Sequence, residues 1–310
     1  MEQRLAKLLM LILLQAEISS MFSIPDNENE NSAVISNSED SDEELPVLSH
    51  PIKGYLPPSS DNGNVRRKKS LQKRSAGRAV NIPAEAVASM ANKPISVLSC
   101  KLPAIQNEIL DVHNNYRSQA VPSASNMLKM VWNSEAAKTA GDWAKQCKLG
   151  HSSPDSRVIT NFKCGEQVFL SSFMVPWSTV IDSWHSEYVD FIYGFGAVST
   201  LEVGHYTQLM WATSYQMGCD LAECASGPSK YIYVCHVCPA GNKGSILCPW
   251  KEGKTCGDCP NSCENNLCTN GCPYQDYFAD CPKFQTNCNT DKSMPSSCPG
   301  SCLCTKGEIK

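Results

Sequence analysis

Apolar residues recur at helical spacing in three stretches of the chain. The first stripe consists of Ile105, Ile109, Val112 and Tyr116. The second consists of Trp132, Ala136, Ala140, Trp143 and Cys147, and the third, after Pro176, of Ile181, Trp184, Tyr188 and Phe191. A period of three to four residues gathers the apolar side chains on one helix face, and proline suits a first turn. The pattern predicts three amphipathic helices that face a core.

Strand patterns follow the helical ones. Residues 231–238 (YIYVCHVC) alternate between two sets of side chains, as a strand does. Residues 215–224 form a predicted partner strand, joined to it by a turn-rich segment, and residues 164–170 form another apolar strand. Helices early and strands late predict an α+β fold built in layers.

The first 95 residues have a different composition. Arg4 and Lys7 precede a short apolar run, which predicts a secretory signal peptide over residues 1–20. Residues 26–50 then carry eight acidic residues and no Lys or Arg, whereas residues 66–78 carry seven basic residues and no acidic one. Such a stretch buries too little apolar surface to offset its ordering entropy, so residues 21–95 are predicted to be a disordered extension. Lys73-Arg74 is either a cleavage site of a pro-segment or part of a solvated linker.

Cysteine usage indicates the compartment. The chain has 18 cysteines, none of them before Cys100 and ten of them within residues 256–304. An even count at this density predicts disulfides, hence a secreted, extracellular protein. The net charge of −4 excludes a generally basic nucleic-acid binder.

Four residues of the body carry chemistry that suits a metal: His113, Glu166, Glu187 and His205. Imidazole nitrogens and carboxylate oxygens are ligands that zinc accepts, and carboxylates also orient metal-bound imidazoles. The four positions lie far apart in sequence. Each histidine therefore also fits an ordinary structural role.

Several motifs resemble those of the CAP superfamily, whose domain is also called SCP. They are HNNYR (113–117), CGEQ (164–167), SWHSE (183–187), GHYTQLMW (204–211) and YVCHVCPAGN (233–242). The resemblance implies an α-β-α sandwich over residues 96–248. It also implies one cleft lined by His113, Glu166, Glu187 and His205, with zinc held mainly by the two histidines. Gln167 replaces the family's commoner asparagine, and Val237 replaces its usual tyrosine.

The C-terminal cysteines resemble those of the cysteine-rich secretory proteins within this superfamily. The resemblance implies a hinge over residues 249–271 and a small, mostly helical, toxin-like domain over residues 272–304. Cys100 and Cys248 lie outside the family's usual set, which suggests a ninth bridge between them or an intermolecular link. The resemblance implies eight other bridges: Cys147-Cys224, Cys164-Cys238, Cys219-Cys235, Cys256-Cys263, Cys259-Cys268, Cys272-Cys304, Cys281-Cys298 and Cys288-Cys302.

The resemblance also implies a function. We expect a monomeric secreted protein that binds a membrane receptor or modulates an ion channel, in reproduction or venom, stored in a secretory vesicle or acrosome. The candidate contact residues are Tyr274, Tyr277, Phe278, Lys283 and Phe284. Aromatic groups and a cation in a disulfide frame suit an interface, although these aromatics can instead fill a small core.

Two other functions stay open. A metal- or serine-dependent protease would use the His/Glu cleft with a nucleophile such as Ser183 or Ser186, but no Gly-x-Ser-x-Gly motif is present. A sterol or lipid carrier would use residues 191–196 (FIYGFG) as an apolar groove, although core packing explains them equally well. We expect a binding protein that is not an enzyme.

Overall fold

The computed structural model describes residues 32–34, 79–227 and 229–310. The predicted signal peptide and the Lys73-Arg74 site lie outside the described residues. No helix in the described ranges is both long and apolar enough to cross a bilayer.

Short helices alternate with short strands. The helices are α1 (Ala84–Met90), α2 (Pro103–Ser118), α3 (Ser134–Ala144), α4 (Trp177–His185), α5 (Gly204–Leu209), α6 (Met294–Ser297) and α7 (Pro299–Leu303). 3₁₀ turns occupy Ile95–Leu98, Pro154–Ser156, Ser186–Asp190 and Cys281–Asn289. The strands are β1 (Ser32–Val34), β2 (Ala79–Asn81), β3 (Val131–Trp132), β4 (Val158–Ile159), β5 (Phe162–Lys163), β6 (Gly165–Ser171), β7 (Phe191–Ile192), β8 (Gly196–Ala197), β9 (Gln216–Glu223), β10 (Tyr231–Cys238), β11 (Cys263–Glu264) and β12 (Leu267–Cys268).

Four strands form the central sheet, in the order β3-β9-β10-β6. Strand β10 runs antiparallel to both β9 and β6, and β3 runs parallel to β9. All eight residues of β10 are buried, because helices cover both faces of the sheet. Tyr233 and Val237 join the core that contains residues of α2 and α4, whereas Ile232 and Val234 pack with Ala140 of α3. The alternation predicted for residues 231–238 thus separates two cores, and the α+β, α-β-α sandwich is confirmed.

The buried side chain of Arg117, on the last turn of α2, ties several loops together. Its guanidinium donates to the backbone carbonyls of Leu128, Leu209, Trp211, Ala212 and Ser214, at distances of 2.7–3.2 Å. Within the described residues no carboxylate pairs with it. Carbonyls at the end of a helix lack partners within the helix. Leu209 is the last residue of α5, so the Arg117 guanidinium also supplies a donor to the C-terminus of that helix.

The prediction of disorder over residues 21–95 is wrong for residues 79–95 and for the short strand β1 that pairs with them. This segment forms β2, α1 and the start of a 3₁₀ turn, and β2 pairs with β1. Ile82, Ala86 and nearby Leu98 are buried in the main core, and the indole of Trp177 donates to the Leu98 carbonyl at 3.0 Å. A few well-spaced apolar residues therefore order a segment whose neighbours in sequence are strongly charged.

Sixteen cysteines form eight disulfides, and each is a pair that the resemblance implies. They divide among the three parts of the chain as the family pattern does. The sandwich contains Cys147-Cys224, Cys164-Cys238 and Cys219-Cys235. The hinge contains Cys256-Cys263 and Cys259-Cys268. The C-terminal domain contains Cys272-Cys304, Cys281-Cys298 and Cys288-Cys302.

The predicted ninth bridge between Cys100 and Cys248 is wrong, because both cysteines are free. Cys100 is buried beside a cavity that Trp132 and Asp220 also line. Cys248 is exposed and lies beside the Tyr193 hydroxyl. The two thiols thus have different surroundings and do not meet.

The C-terminal part is joined to the sandwich by backbone hydrogen bonds. The amide of Lys129 donates to the Cys268 carbonyl at 2.8 Å, and the amide of Cys268 donates to the Met127 carbonyl at 2.7 Å. Further along, Gly271 pairs with Ile309 as an isolated parallel bridge. Residues 272–304 contain one long 3₁₀ turn and helices α6 and α7, so this part is mostly helical. The hinge is therefore a docked segment rather than a free tether.

Substituting Arg117→Met should lower the free energy of unfolding by roughly 3–5 kcal/mol, because several buried carbonyls lose their donor. Arg117→Lys keeps the charge but offers only three donors, so its cost should be intermediate. Urea unfolding of the three proteins measures this order. Equal stability of all three would contradict the role given to the guanidinium.

The native protein should contain two free thiols of unequal reactivity. Cys248 is exposed and should react with iodoacetamide in the folded protein. Burial raises the pKa of the Cys100 thiol, so this group should react only after unfolding. Peptide mapping by mass spectrometry without reduction gives the result. A Cys100-Cys248 cross-linked peptide would restore the ninth bridge.

Candidate functional site: two glutamate-histidine pairs

One buried pair joins Glu187 to His205. Glu187 lies on the 3₁₀ turn that continues α4, and His205 is the second residue of α5. The His205 Nδ1 atom is 2.7 Å from Glu187 Oε1, and the Tyr206 amide donates to Glu187 Oε2 at 3.0 Å. The carboxylate thus holds both the imidazole and the backbone of the next residue. The structure places these two members of the predicted set in direct contact.

A second pair joins Glu166, on β6, to His151. The His151 Nδ1 atom lies 2.9 Å from Glu166 Oε1, which also accepts the Ser152 amide at 2.7 Å. The two pairs therefore repeat one pattern, in which a glutamate binds the imidazole Nδ1 of a histidine and the N–H of the following residue.

Two more donors reach the other oxygen of Glu166. The Ser152 hydroxyl donates to Oε2 at 2.6 Å, and His236 Nε2 lies 2.9 Å from the same atom. His236 stands directly opposite Glu166 in the pairing of β10 with β6. A carboxylate accepts about four hydrogen bonds, so Glu166 is saturated.

This saturation fixes the charge of Glu166. Burial alone would raise the pKa of this carboxyl, but the hydrogen bonds from His151, His236 and Ser152 outweigh burial and hold the pKa well below its usual range. Glu166 is therefore ionised at neutral pH. Its lone pairs are used by protein donors, so its role is to support a histidine rather than to ligate an ion.

The pairing also determines which imidazole nitrogen carries hydrogen. A carboxylate only accepts, so Nδ1 of both His151 and His205 is the donor. In the neutral imidazole Nε2 then bears the lone pair, which is the form that ligates a metal when a carboxylate orients the ring. Each of the two imidazoles thus offers the kind of nitrogen donor that zinc accepts.

Consecutive residues of β6 connect the two pairs. Glu166 binds His151, while the side-chain amide of Gln167 donates to the backbone carbonyl of His205 at 3.1 Å. Alternation along a strand sends successive side chains to opposite faces, so Glu166 and Gln167 of the edge strand β6 reach segments on different faces of the sheet. Gln167, the departure noted in the motif, is therefore directly attached to the segment that carries His205.

His113 is not part of either pair, which corrects the predicted set of His113, His205, Glu166 and Glu187. It is fully buried in α2, and its Nδ1 donates to the Ile109 carbonyl at 2.8 Å. The histidine bound to Glu166 is instead His151, which the sequence analysis missed along with His236. One signal was available: His151 is followed by a serine, a small donor residue, shortly before the CGEQ motif.

The two serines considered as nucleophiles bond to helix carbonyls. The Ser183 hydroxyl donates to the Val180 carbonyl at 2.6 Å, and the Ser186 hydroxyl donates to the Ser183 carbonyl at 2.7 Å. Neither of these bonds joins a serine to an imidazole base, as a nucleophile–base arrangement requires. The geometry gives no support to a serine mechanism.

Residues 191–196 form the hairpin of β7 and β8. Phe191 is buried in the main core, whereas Phe195 at the tip is exposed. This segment thus divides between core packing and an exposed tip. The sterol hypothesis remains a prediction.

The predicted contact residues of the C-terminal domain lie at its surface. Tyr277 and Phe278 are 68% and 63% exposed, and Tyr274 and Phe284 are also exposed. Lys283 is exposed and forms an ion pair with Asp280 at 2.6 Å. Leu303, which the sequence analysis did not single out, is exposed as well. The aromatics therefore do not fill a core of their own.

The hinge holds another group of possible metal donors. The sulfurs of Cys256, Cys259 and Cys268 lie within 4.8 Å of one another. They belong to two disulfides, Cys256-Cys263 and Cys259-Cys268, so they are not thiolates. Proximity here reflects cross-linking, in agreement with the disulfide interpretation of the sequence.

Two family models match consecutive parts of the chain. The model described as "Cysteine-rich secretory protein family" (CAP) matches residues 110–237, and the model described as "Crisp" matches residues 256–310. Together they cover more than half of the chain, including both glutamate-histidine pairs and the exposed aromatics.

Solved structures are also similar to this chain. The structure titled NaASP2 with Zn2+ is 29% identical, covers 54% of this chain and 96% of its own, and has a TM-score of 0.46. The hookworm platelet inhibitor is 21% identical, with coverages of 55% and 92% and a TM-score of 0.43. Venom allergen-like protein 4 of Schistosoma mansoni is 22% identical, with coverages of 48% and 90% and a TM-score of 0.39.

The buried His113 should make stability depend on pH. Burial lowers the pKa of His113 from 6.5 to about 4, so the unfolded chain binds a proton in this range while the folded protein does not. The contribution of neutral His113 to the free energy of unfolding is fully present above pH 6.5 and is lost as the pH falls towards 4. The loss should amount to about 3 kcal/mol relative to His113→Phe. Urea unfolding of both proteins across this range tests it, and parallel pH profiles would contradict it.

Proposed function

The chain belongs to the cysteine-rich secretory protein family of the CAP superfamily, and from this premise we propose that it binds a cell-surface partner through its C-terminal disulfide-rich domain. The partner is a membrane receptor or an ion channel. The family and the eight disulfides fit a secreted protein. A setting in reproduction or venom, with storage in a secretory vesicle or acrosome, is part of the same proposal and rests on the family alone.

The observation that carries the proposal is the exposed aromatic surface of residues 272–304. Four aromatic side chains, Tyr274, Tyr277, Phe278 and Phe284, face solvent although aromatic groups gain most from burial. A pre-organised surface loses little conformational entropy on binding, and buried aromatics supply much of the energy of an interface. The backbone that presents them is fixed by three disulfides: Cys272-Cys304, Cys281-Cys298 and Cys288-Cys302.

A second proposed function is binding of a divalent cation, with zinc as the best-suited ion. The two glutamate-histidine pairs support it, because each carboxylate holds Nδ1 and directs the lone pair of Nε2 outward from the pair. When bound, zinc would supply Lewis acidity or simply a cross-link between the two histidine segments. The Ser183 and Ser186 hydroxyls are engaged with helix carbonyls, which favours cation binding over a serine-dependent reaction.

Replacing Tyr277 and Phe278 together with serine should weaken binding to target cells by roughly 1,000-fold, because truncated aromatic anchors each cost about 2 kcal/mol or more at an interface. Flow cytometry with labelled, non-reduced protein measures the apparent affinity. The target cells are the first cell type to which the wild-type protein binds saturably.

Phe195→Ser is the matched control for that experiment. Phe195 is 67% exposed, as much as Tyr277, but lies on the sandwich. This variant should bind like the wild type. Equal losses in both variants, or none in the double variant, would remove the C-terminal surface from the proposal.

Zinc affinity should fall about 10- to 100-fold or more in His151→Ala and in His205→Ala, since each removes an imidazole donor. His113→Phe is the control, because this imidazole is buried within α2 and bonded to Ile109. Isothermal titration of metal-free protein provides the affinities. If His113→Phe lost zinc binding while His151→Ala retained it, His113 rather than His151 would be the zinc ligand.

A further inference from the structure

A cleft of about 660 Å³ lies at the end of the central sheet where β6 and β9 end and β10 begins. We call it the sheet-end cleft. Part of its lining consists of Met174, in the segment after β6, and Tyr231, the first residue of β10, and both are buried. Another part consists of Met90 of α1 and Ile95, which are partly buried against the main core. Sites for small molecules usually measure about 300–1,000 Å³, so the cleft has the size of a ligand site.

The segment after α1 is turned into the sheet-end cleft by its local sequence. Asn92 has a φ of 62°, the left-handed conformation that commonly ends a helix, and Pro94 cannot continue one. The Lys93 amide still donates to the Met90 carbonyl at 3.1 Å. The chain thus changes direction directly after α1, and Asn92, Lys93 and Pro94 all line the cleft.

The exposed charges that line the sheet-end cleft do not cancel. Glu223 and Lys230 pair with each other, with Lys230 Nζ 3.5 Å from Glu223 Oε1, and the Tyr231 hydroxyl donates to the same oxygen at 3.4 Å. Lys93 has no carboxylate partner among the residues that the structure describes. The lining therefore combines an apolar surface with one uncompensated positive charge.

We propose that the sheet-end cleft binds a small organic acid. Its apolar body contacts Met90, Met174 and Tyr231, and its single anionic group lies beside Lys93. Burial of the apolar body removes apolar surface of both molecules from water, and the anionic group offsets the charge of Lys93. A cationic ligand would meet Lys93 without a free carboxylate, because Glu223 is already paired.

This site is separate from both proposed functions. It uses neither the glutamate-histidine pairs nor the exposed aromatics of the C-terminal domain, so either proposal can fail without affecting it. Aliphatic and aromatic acids share the required chemistry. Phe173 and Tyr231 offer rings against which an aromatic body can also pack, so the experiment compares the two kinds of acid.

The test is methyl NMR of the full-length protein labelled with ¹³C at the methionine methyl groups. Met90 and Met174 line the sheet-end cleft, whereas Met217 is buried in the main core and Met294 lies on α6 of the C-terminal domain. The probes are naphthoate, octanoate and the neutral naphthalenemethanol. Each acid that binds should shift the Met90 and Met174 signals saturably and leave those of Met217 and Met294 in place.

The charge of the probe should act through Lys93. Lys93→Gln should weaken the binding of naphthoate about 2- to 5-fold, the range of an exposed ion pair, and should leave the binding of naphthalenemethanol unchanged. Lys93→Arg keeps the charge and should bind like the wild type. Lys292→Gln is the matched control, because Lys292 is an exposed lysine outside the cleft.

A second variant blocks the sheet-end cleft without altering its charge. Ser172 is exposed and lines the cleft, so Ser172→Trp places an indole in the space that the ligand needs. Its affinity for the acids should fall about 10-fold or more, because the added ring clashes with the bound molecule. Ser296→Trp is the control, since Ser296 is an exposed serine of the C-terminal domain.

The outcomes separate clearly. Saturable shifts of Met90 and Met174 with only one of the two acids support the inference and identify the acid as aromatic or aliphatic. Signals that stay in place with both acids overturn it. Shifts of all four methyl groups overturn it as well, because binding is then not confined to the cleft. Undiminished binding in Ser172→Trp, or equal losses of naphthoate and naphthalenemethanol in Lys93→Gln, also overturns it.

Discussion

The buried guanidinium of Arg117 is the interaction on which much of this architecture depends. It is a cation surrounded by backbone carbonyls, so its desolvation is offset by hydrogen bonds that also satisfy otherwise unpaired oxygens. The carbonyl of Leu209 ends α5, the helix that carries His205. The carbonyl of Leu128 belongs to a loop whose adjacent residues, Met127 and Lys129, form backbone hydrogen bonds with Cys268 of the hinge. One side chain therefore anchors both the histidine site and the base of the C-terminal domain.

The regular elements of the sandwich were predictable because their periodicity reflects burial directly. Strand β10 covers residues 231–238, as the alternating sequence pattern predicted, because its two sets of side chains enter two different cores. The ordered segment at residues 79–95 was not predictable from composition. Its order depends on Ile82 and Ala86 meeting a core made by distant residues, and the adjacent charges hide that contact.

The site was only half predictable for a related reason. Glu187 and His205 came from the motifs, but the partner of Glu166 depends on which face of β6 each residue occupies. His113 lies four positions after Ile109, so the helical stripe itself already indicated burial rather than a cleft. His151 lies in a loop without periodicity, and only the folded chain brings it to Glu166. His236 looked like one more member of an alternating strand until the register placed it opposite a carboxylate.

The bridge between Gly271 and Ile309 returns the chain to the point where the C-terminal domain begins. The entrance and exit of this domain are therefore neighbours, and the amide of Cys272 donates to the Ile309 carbonyl at 2.8 Å. Both ends also pack on the sandwich, since Ile309 is buried with Leu128, so one patch of the sandwich supports the entrance and the exit of the domain together.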